Sequence, residues 1–232
     1  MTLPVVILAG GYATRLRPLT EKIPKALVLV SGKPFIEWQI SLLKSQGYKE
    51  LIILTGFLGN QIKEYLGNGE KYGITINYCS DGSTLLGTGG AIKNAIDLLP
   101  ENFFIMYGDT YLPINFIEVE EAYFNKNKKA LMTIFKNNNA FDKSNIIYEN
   151  DKIIKYVINE NLENLEYIDY GLSIFSKEVF LKINTSKFEL KTVFIDLISL
   201  EELGAYRVYK RFYEMGRVET LIETENYFKG LK

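Results

Sequence analysis

Pro4 to Ala9 (PVVILA) is apolar at every position and ends at Gly10-Gly11. An unbroken apolar run rich in β-branched residues predicts a strand of a parallel sheet covered on both faces. Pro34 to Gln46 changes period: Phe35, Trp38, Ile40, Leu42 and Leu43 fall at helical spacing, and Gly47 follows as a C-terminal stop. Leu51 to Thr55 reads as a strand, Gln61 to Leu66 as a short helix and Ile74 to Tyr78 as a third strand. Gly87 to Leu99 reads as a helix opened by glycines, and Phe103 to Tyr107 (FFIMY) as a strand running into Gly108-Asp109. Strands alternating with helices predict an α/β fold with a mainly parallel sheet.

Beyond Asp109 the pattern mixes. A helix is expected over Asn115 to Asn127, a strand over Ala130 to Phe135, and a hairpin from Ile146–Tyr148 and Lys152–Val157 around Glu149-Asn150-Asp151. Tyr167 to Phe175 is strand-like, Lys177 to Lys182 a short helix, Leu190 to Leu203 helical, Tyr206 to Tyr213 β-like and Val218 to Phe228 helical. No repeat or low-complexity linker divides the chain. One domain over 1–232 is expected, with a first half, 1–112, richer in βα units than the second, 113–232.

Composition narrows the chemistry. With 27 Lys and Arg against 28 Asp and Glu and no long basic run, the chain does not read as a nucleic-acid binder. Its single cysteine, Cys79, rules out an intrachain disulfide and a cysteine-based metal site. There is no histidine, which removes Ser-His and Cys-His hydrolase schemes and most zinc sites. The apolar N-terminal run lacks a basic flank and is too short for a signal peptide or membrane span, so a cytoplasmic setting without membrane contact is expected.

Leu8 to Lys25 (LAGGYATRLRPLTEKIPK) carries the strongest chemical signal. A buried strand breaks at two glycines, and a loop with Thr14, Arg15 and Arg17 follows, then Lys25 behind a proline. Glycines let the backbone approach a phosphate, successive loop N–H groups form an anion nest, Arg adds a two-pronged donor and Lys a movable charge. In open α/β sheets ligands bind at this edge of the strands. Asp109, at the end of another internal strand, would face the same crevice and suits a hard cation; by itself it also reads as a turn cap.

Gly10, Gly11, Thr14, Arg15, Leu16, Pro18, Leu19, Thr20, Pro24 and Lys25 together resemble the signature of the sugar-1-phosphate nucleotidyltransferases, roughly G-G-x-G-T-R-L-x-P-L-T-x-x-x-P-K. Ala13 stands where that family more often has Gly. The likeness runs from Val5 to Phe228 and implies a Rossmann-like three-layer α/β sandwich of the GT-A-like kind. It further implies that 1–112 holds the nucleotide and 113–232 the sugar and a second metal ligand. Leu8, Ala9, Gly10, Gly11 and Thr14 would lie along the nucleotide. Arg15 would bind the departing phosphates, and Lys25 would grip phosphates of both reactants. Asp109 would bind Mg²⁺. Leu85 to Ala91 resembles the family's L-G-T-G-G-A segment, placing Gly87, Thr88 and Gly89 at the base and ribose; Asp81 reads as a base contact or as a turn-former.

Phe212 to Arg217 resembles a W-x-D-I-G-T-P segment, with Glu214 where the second metal-binding Asp is usual and Arg217 in place of Thr. Glu214 is thus either a metal ligand or a solvent-facing strand residue. Ile168 to Leu172 resembles a sugar-contacting N-x-G-I-Y strand, which makes Asp169 and Gly171 sugar-side residues, or leaves Asp169 paired with a lysine. Many relatives have a Glu-Lys-Pro whose Lys holds the sugar phosphate. Lys155 to Asn159 has no Lys at that place.

The partners implied are a nucleoside triphosphate and a sugar 1-phosphate, with Mg²⁺ as cofactor; a homodimer is left open. Short members with these motifs look most like guanylyltransferases of manno-configured heptose or mannose 1-phosphates, with uridylyl- and cytidylyltransferases as alternatives. Three rivals are weaker. A glycosyltransferase would have a second Asp in Asp109-Thr110-Tyr111. A catalytically silent nucleotide binder need not keep Arg15, Lys25 and Asp109. A dinucleotide oxidoreductase would show G-x-G-x-x-G at Gly10.

Overall fold

A computed structural model describes residues 2–158 and 165–231. The first strand, β1 (Val5–Ala9), lies at the centre of a mixed sheet. On one side it pairs in parallel with β4 (Glu50–Thr55), which pairs in parallel with β5 (Thr75–Ser80). On the other side it pairs in parallel with β6 (Asn102–Tyr107). Between β1 and β4 run the short ribbon β2 (Leu29–Val30) and β3 (Lys33–Pro34) and the helix α1 (Phe35–Ser45). The helices α2 (Gly59–Leu66) and α3 (Gly87–Asn94) follow β4 and β5. Because β1 is succeeded by β4 on one flank and bordered by β6 on the other, the chain reverses direction across the sheet here. A crevice opens at such a reversal, beyond the carboxyl ends of the strands.

The later elements are the two-residue β7 (Thr110–Tyr111), α4 (Phe116–Lys126), β8 (Ala130–Lys136), and the hairpin β9 (Ile146–Glu149) and β10 (Lys152–Tyr156). They continue through β11 (Tyr167–Ser176), α5 (Glu178–Leu181), α6 (Leu190–Ser199), β12 (Leu203–Val208), β13 (Tyr213–Glu214) and α7 (Val218–Lys229). The long β11 joins the two parts of the sheet. Its second half pairs antiparallel with β6, from Leu172 opposite Met106 to Ser176 opposite Asn102. Its first half leaves β6 behind, meets β9 at Tyr167–Ile146, and pairs with β8 across an irregularity between Asp169 and Ser173. Gly171 sits in that irregularity at φ +93°, a conformation that costs glycine little.

Alternation along β1 explains the layering. Val5 and Ile7 pack with Ile36, Ile40, Leu43, Ile62 and Phe116 from α1, α2 and α4. Val6 packs on the opposite face with Ile92, Phe180, Val193 and Phe194 from α3, α5 and α6. Both faces are therefore covered, as an unbroken apolar strand requires, and the result is the expected three-layer α/β arrangement with parallel central strands. A third, smaller cluster joins Leu16, Val30, Phe35, Tyr111, Met215 and Phe228 beneath the Thr14–Arg17 loop. In it Phe228 of α7 stacks on Trp38 at 4.1 Å between centroids. Tyr227 stacks on Tyr213 of β13 at 3.8 Å.

Most expected elements appear within a residue or two. Three expectations need correction. The helix foreseen over Gly87 to Leu99 ends at Asn94, and a separate single turn covers Ile96–Leu98. The helix foreseen to Leu203 stops at Ser199; Glu201 takes φ +55°, and Leu203 starts β12, whose parallel pairing with β8 outweighs the apolar period. The strand foreseen over Tyr206 to Tyr213 breaks after Val208, and β13 resumes at Tyr213 in a different, two-stranded ribbon. Asn159, at the end of the segment compared with the Glu-Lys-Pro motif, lies outside the described residues.

Candidate active site

The crevice beyond β1 and β6 is a cleft of about 590 Å³. Leu8 to Arg15, Lys25, Asp81, Gly87, Thr88 and Asp109 line it, so most of the residues singled out from sequence converge there. One wall is the loop after β1. Gly10 packs against Gly56, where a Cβ would come within 3.1 Å of the Gly56 nitrogen, whereas a Cβ on Gly11 would meet nothing within 4 Å. Ala13 adopts φ 50°, ψ 40°, so the Gly-to-Ala departure leaves the left-handed turn intact, at a cost of about 1–2 kcal/mol for an L-residue. Thr20 offsets part of that cost by donating its hydroxyl to the Ala13 carbonyl at 2.8 Å. Buried Leu16 anchors the turn from below, and exposed Thr14 and Arg15 face outward. Among the described residues, the N–H groups of Gly11, Tyr12, Ala13 and Thr14 have no internal acceptor. Four successive open donors beside an arginine are what an anion nest needs.

Lys25 projects from a single turn, Lys25–Leu27, and its Nζ donates to Asp109 Oδ2 at 2.6 Å. Asp109 is held in turn by the Thr110 hydroxyl, which donates to Oδ1 at 3.1 Å. The ribbon β7–β13 brings in the third group. Glu214 stands opposite Thr110, and the Met215 N–H donates to the Asp109 carbonyl at 3.0 Å. Glu214 is partly buried, not a solvent-facing strand residue. Burial first, and then the negative charge of Asp109, push its carboxyl above the usual range, while Lys25 pulls it down. The two carboxylates thus share one end of the ribbon, joined through the Met215 N–H bond to the Asp109 carbonyl.

The glycine-rich start of α3 has a structural role beside the one the resemblance implies. The N–H groups of Gly89 and Gly90 both donate to the Phe188 carbonyl at 3.0 Å, and Phe188 N–H donates to Leu86 O. Thr88 hydroxyl donates to Glu189 Oε2 at 2.8 Å and accepts from Leu190 N–H. A Cβ on Gly87 would stand 2.6 Å from the Phe188 carbonyl oxygen; on Gly89 it would press into the Phe188 ring and on Gly90 into the Ser186 carbonyl. The glycines therefore admit a strap, 183–189, laid across the helix start, and Lys93 ties its far end by donating to Ile183 O. Gly87 and Thr88 still line the cleft; Gly89 is buried behind the strap. Asp81 does not form a simple two-residue turn: its Oδ2 accepts from Leu86 N–H at 3.0 Å, and burial raises its carboxyl.

The strap carries Lys187 and Glu189 into the cleft wall, which sequence reading missed. No local pattern marks them, because their position follows from long-range contact with α3. Tyr107, also missed, lines the cleft floor, and its phenol is raised by burial and by Asp169, Asp109 and Glu189 around it.

Asp169 and Gly171 lie where β11 departs from β6, beside that tyrosine; a Cβ on Gly171 would be 3.5 Å from Tyr107 Cδ2. Asp169 does not pair with a lysine among the described residues. Its Oδ1 accepts from Gly171 N–H at 2.9 Å and its Oδ2 from the Tyr156 hydroxyl at 3.3 Å. Burial raises its carboxyl to about 6.

A mixed α/β sheet whose parallel strands end at a loop of open N–H groups and a lysine–carboxylate pair is the setting of this cleft. The nucleotidyl transferase family model matches residues 4–223, and the chain belongs to that family. The chain is 30% identical to the D-glycero-alpha-D-manno-heptose 1-phosphate guanylyltransferase of Campylobacter jejuni over 176 residues, 75% of this chain and 76% of that one. It is 41% identical to the N-acetylmuramate alpha-1-phosphate uridylyltransferase of Neisseria meningitidis over 112 residues, so the match spans about half of each, 48%. Among solved structures, HddC from Yersinia pseudotuberculosis complexed with GMP-PN superposes with a TM-score of 0.83 at 24% identity, covering 98% of this chain and all of that one. At that identity the likeness establishes the fold. Among the described residues no helix is long and apolar enough to cross a membrane.

Proposed function

We propose that the protein joins a nucleoside triphosphate to a sugar 1-phosphate, releasing pyrophosphate and an NDP-sugar. The observation that carries this reading is the convergence of the open N–H groups of Gly11 to Thr14, Arg15 and the Lys25–Asp109 pair at one edge of the sheet. The loop N–H groups and Arg15 would hold the β- and γ-phosphates, which leave together. At neutral pH a sugar 1-phosphate, with a second pKa near ~6, is already a dianionic nucleophile, so no side chain need act as a base. That agrees with a chain that has no histidine. Attack at the α-phosphorus transfers the nucleotidyl group and expels pyrophosphate. Lys25, swinging between Asp109 and the phosphates, would neutralise charge that develops on the way.

Asp109 and Glu214 would hold Mg²⁺, which when bound supplies further neutralisation of phosphate charge. Asp169 and Gly171, on the β11 side, would receive the sugar. GTP with a manno-configured heptose or mannose 1-phosphate is the pairing favoured by the Campylobacter relative; the Neisseria relative supports UTP with an amino-sugar 1-phosphate as the second reading. A matrix of four nucleoside triphosphates against a panel of sugar 1-phosphates, read by pyrophosphate release, tests both. The expected outcome is one dominant cell with GTP and a manno-configured phosphate. Absence of release in every cell would overturn the reaction.

A further inference from the structure

The hairpin β9–β10 reaches the site through one hydroxyl. Tyr156, the last residue of β10, lays its ring parallel to Phe194 of α6, at 5.9 Å between centroids and 7° between planes. Its hydroxyl donates to Asp169 Oδ2 at 3.3 Å and accepts from Asn145 Nδ2 at 3.4 Å. Asn145 ties the ensemble together. Its side-chain oxygen accepts from Asp169 N–H at 2.9 Å, its N–H donates to Tyr167 O, and its carbonyl accepts from Val157 N–H. One asparagine thereby clamps the hairpin to β11 and aims the tyrosine at the carboxylate.

We infer that Tyr156 is a positioning residue: together with Asn145 it fixes Asp169 in one orientation, so that its remaining lone pairs receive hydroxyl donors of the second substrate. This deepens the proposed function and rests on it. Among the described residues each Asp169 oxygen accepts one bond, from Gly171 N–H and from Tyr156, and a carboxylate has capacity for more. Among the described residues Tyr107 from β6, Tyr156 from β10 and Asn145 before β9 face it. Asp109 and Glu189, with Asp169, act electrostatically on Tyr107. A site end built from acceptors and phenols selects an alcohol that donates, and penalises a deoxy analogue, which leaves a buried acceptor unmet. Tyr156 also matters for charge: its hydroxyl favours the ionised carboxyl against the burial that opposes it.

Tyr156→Phe keeps the ring and its stack on Phe194 and deletes only the hydroxyl. In steady-state kinetics the KM for the sugar phosphate should rise about tenfold, the range of a lost bond to a charged acceptor, with the KM for the nucleotide unchanged. In unliganded protein labelled with ¹³C at the Asp carboxyls, the resonance missing from Asp169→Asn identifies Asp169. Its titration midpoint should move upward in Tyr156→Phe. An unmoved midpoint overturns the inference, and so does a parallel rise in both KM values, which marks general loosening. If wild-type protein releases no pyrophosphate with any pair, the reaction falls, while the titration still decides whether Tyr156 controls Asp169.

Discussion

Lys25 Nζ and Asp109 Oδ2 stand 2.6 Å apart, joined across 84 positions of sequence. The cation proposed to meet phosphate is thus held by the carboxylate proposed to meet metal. Lys25→Ala is expected to lower kcat by about two to three decades, the ~3–4 kcal/mol typical of a group acting on developing charge, while nucleotide affinity changes little. Single-turnover kinetics with a parallel binding titration would check this; a loss confined to affinity would make Lys25 a binding group only.

Glu214 offers a sharper test of metal binding. Glu214→Gln removes one of two adjacent negative charges and should raise the Mg²⁺ concentration for half-maximal activity, whereas Glu214→Asp should retain much of it. Magnesium titrations of both variants decide, and a Gln curve superposed on wild type refutes ligation. Asp109→Asn should nearly abolish turnover with an unchanged circular dichroism spectrum.

At Gly90 two effects oppose each other. Alanine favours a helix interior over glycine by about 1 kcal/mol. A Cβ there would press into the Ser186 carbonyl, backbone that cannot swing aside, and overpacking typically costs 1–3 kcal/mol. The clash should win, so Gly90→Ala should lower the urea midpoint. Gly11→Ala, with open space around its Cβ, should leave the midpoint where it is.

Asp169 sets a pH dependence of stability. Its folded carboxyl titrates at about 6, above the ordinary unfolded value near ~3.9. Between those values the folded state holds more protons than the unfolded one, so this residue favours folding at low pH and the advantage fades as pH rises through about 6. Comparing wild type with Asp169→Asn by chemical denaturation from pH 4 to 7 should show that this falling component disappears in the variant. Parallel curves would reject it.

How much of this was legible in the sequence follows from range. The first strands and the phosphate loop were readable because their signals are local: an unbroken apolar run, paired glycines, an arginine at fixed spacing. Even Ala13 at φ 50° kept the turn that the pattern implied. Where long-range pairing decides, local period misled, as at Leu203, drawn out of the expected helix by β8. The strap is the plainest case. Gly87 to Gly90 looked like a ligand-facing helix start, yet two of its N–H groups are already committed to Phe188, a residue 99 positions from Gly89. Lys187 and Glu189 reach the cleft only through that docking, so nothing near them in sequence announced it.

The stack of Trp38 on Phe228 has a practical consequence. Trp38 is the chain's one tryptophan. Its indole lies at 4.1 Å from the Phe228 ring, under the Lys33 ammonium at 3.6 Å, with its N–H committed to the Val30 carbonyl. Phe228 also meets Tyr111, two residues from Asp109, edge-on at 4.8 Å. Any rearrangement that lifts α7 from the β7–β13 ribbon must therefore change the polarity around the indole. The molecule carries a built-in optical gauge: its intrinsic emission reads, without any label, whether the C-terminal helix is seated behind the carboxylates.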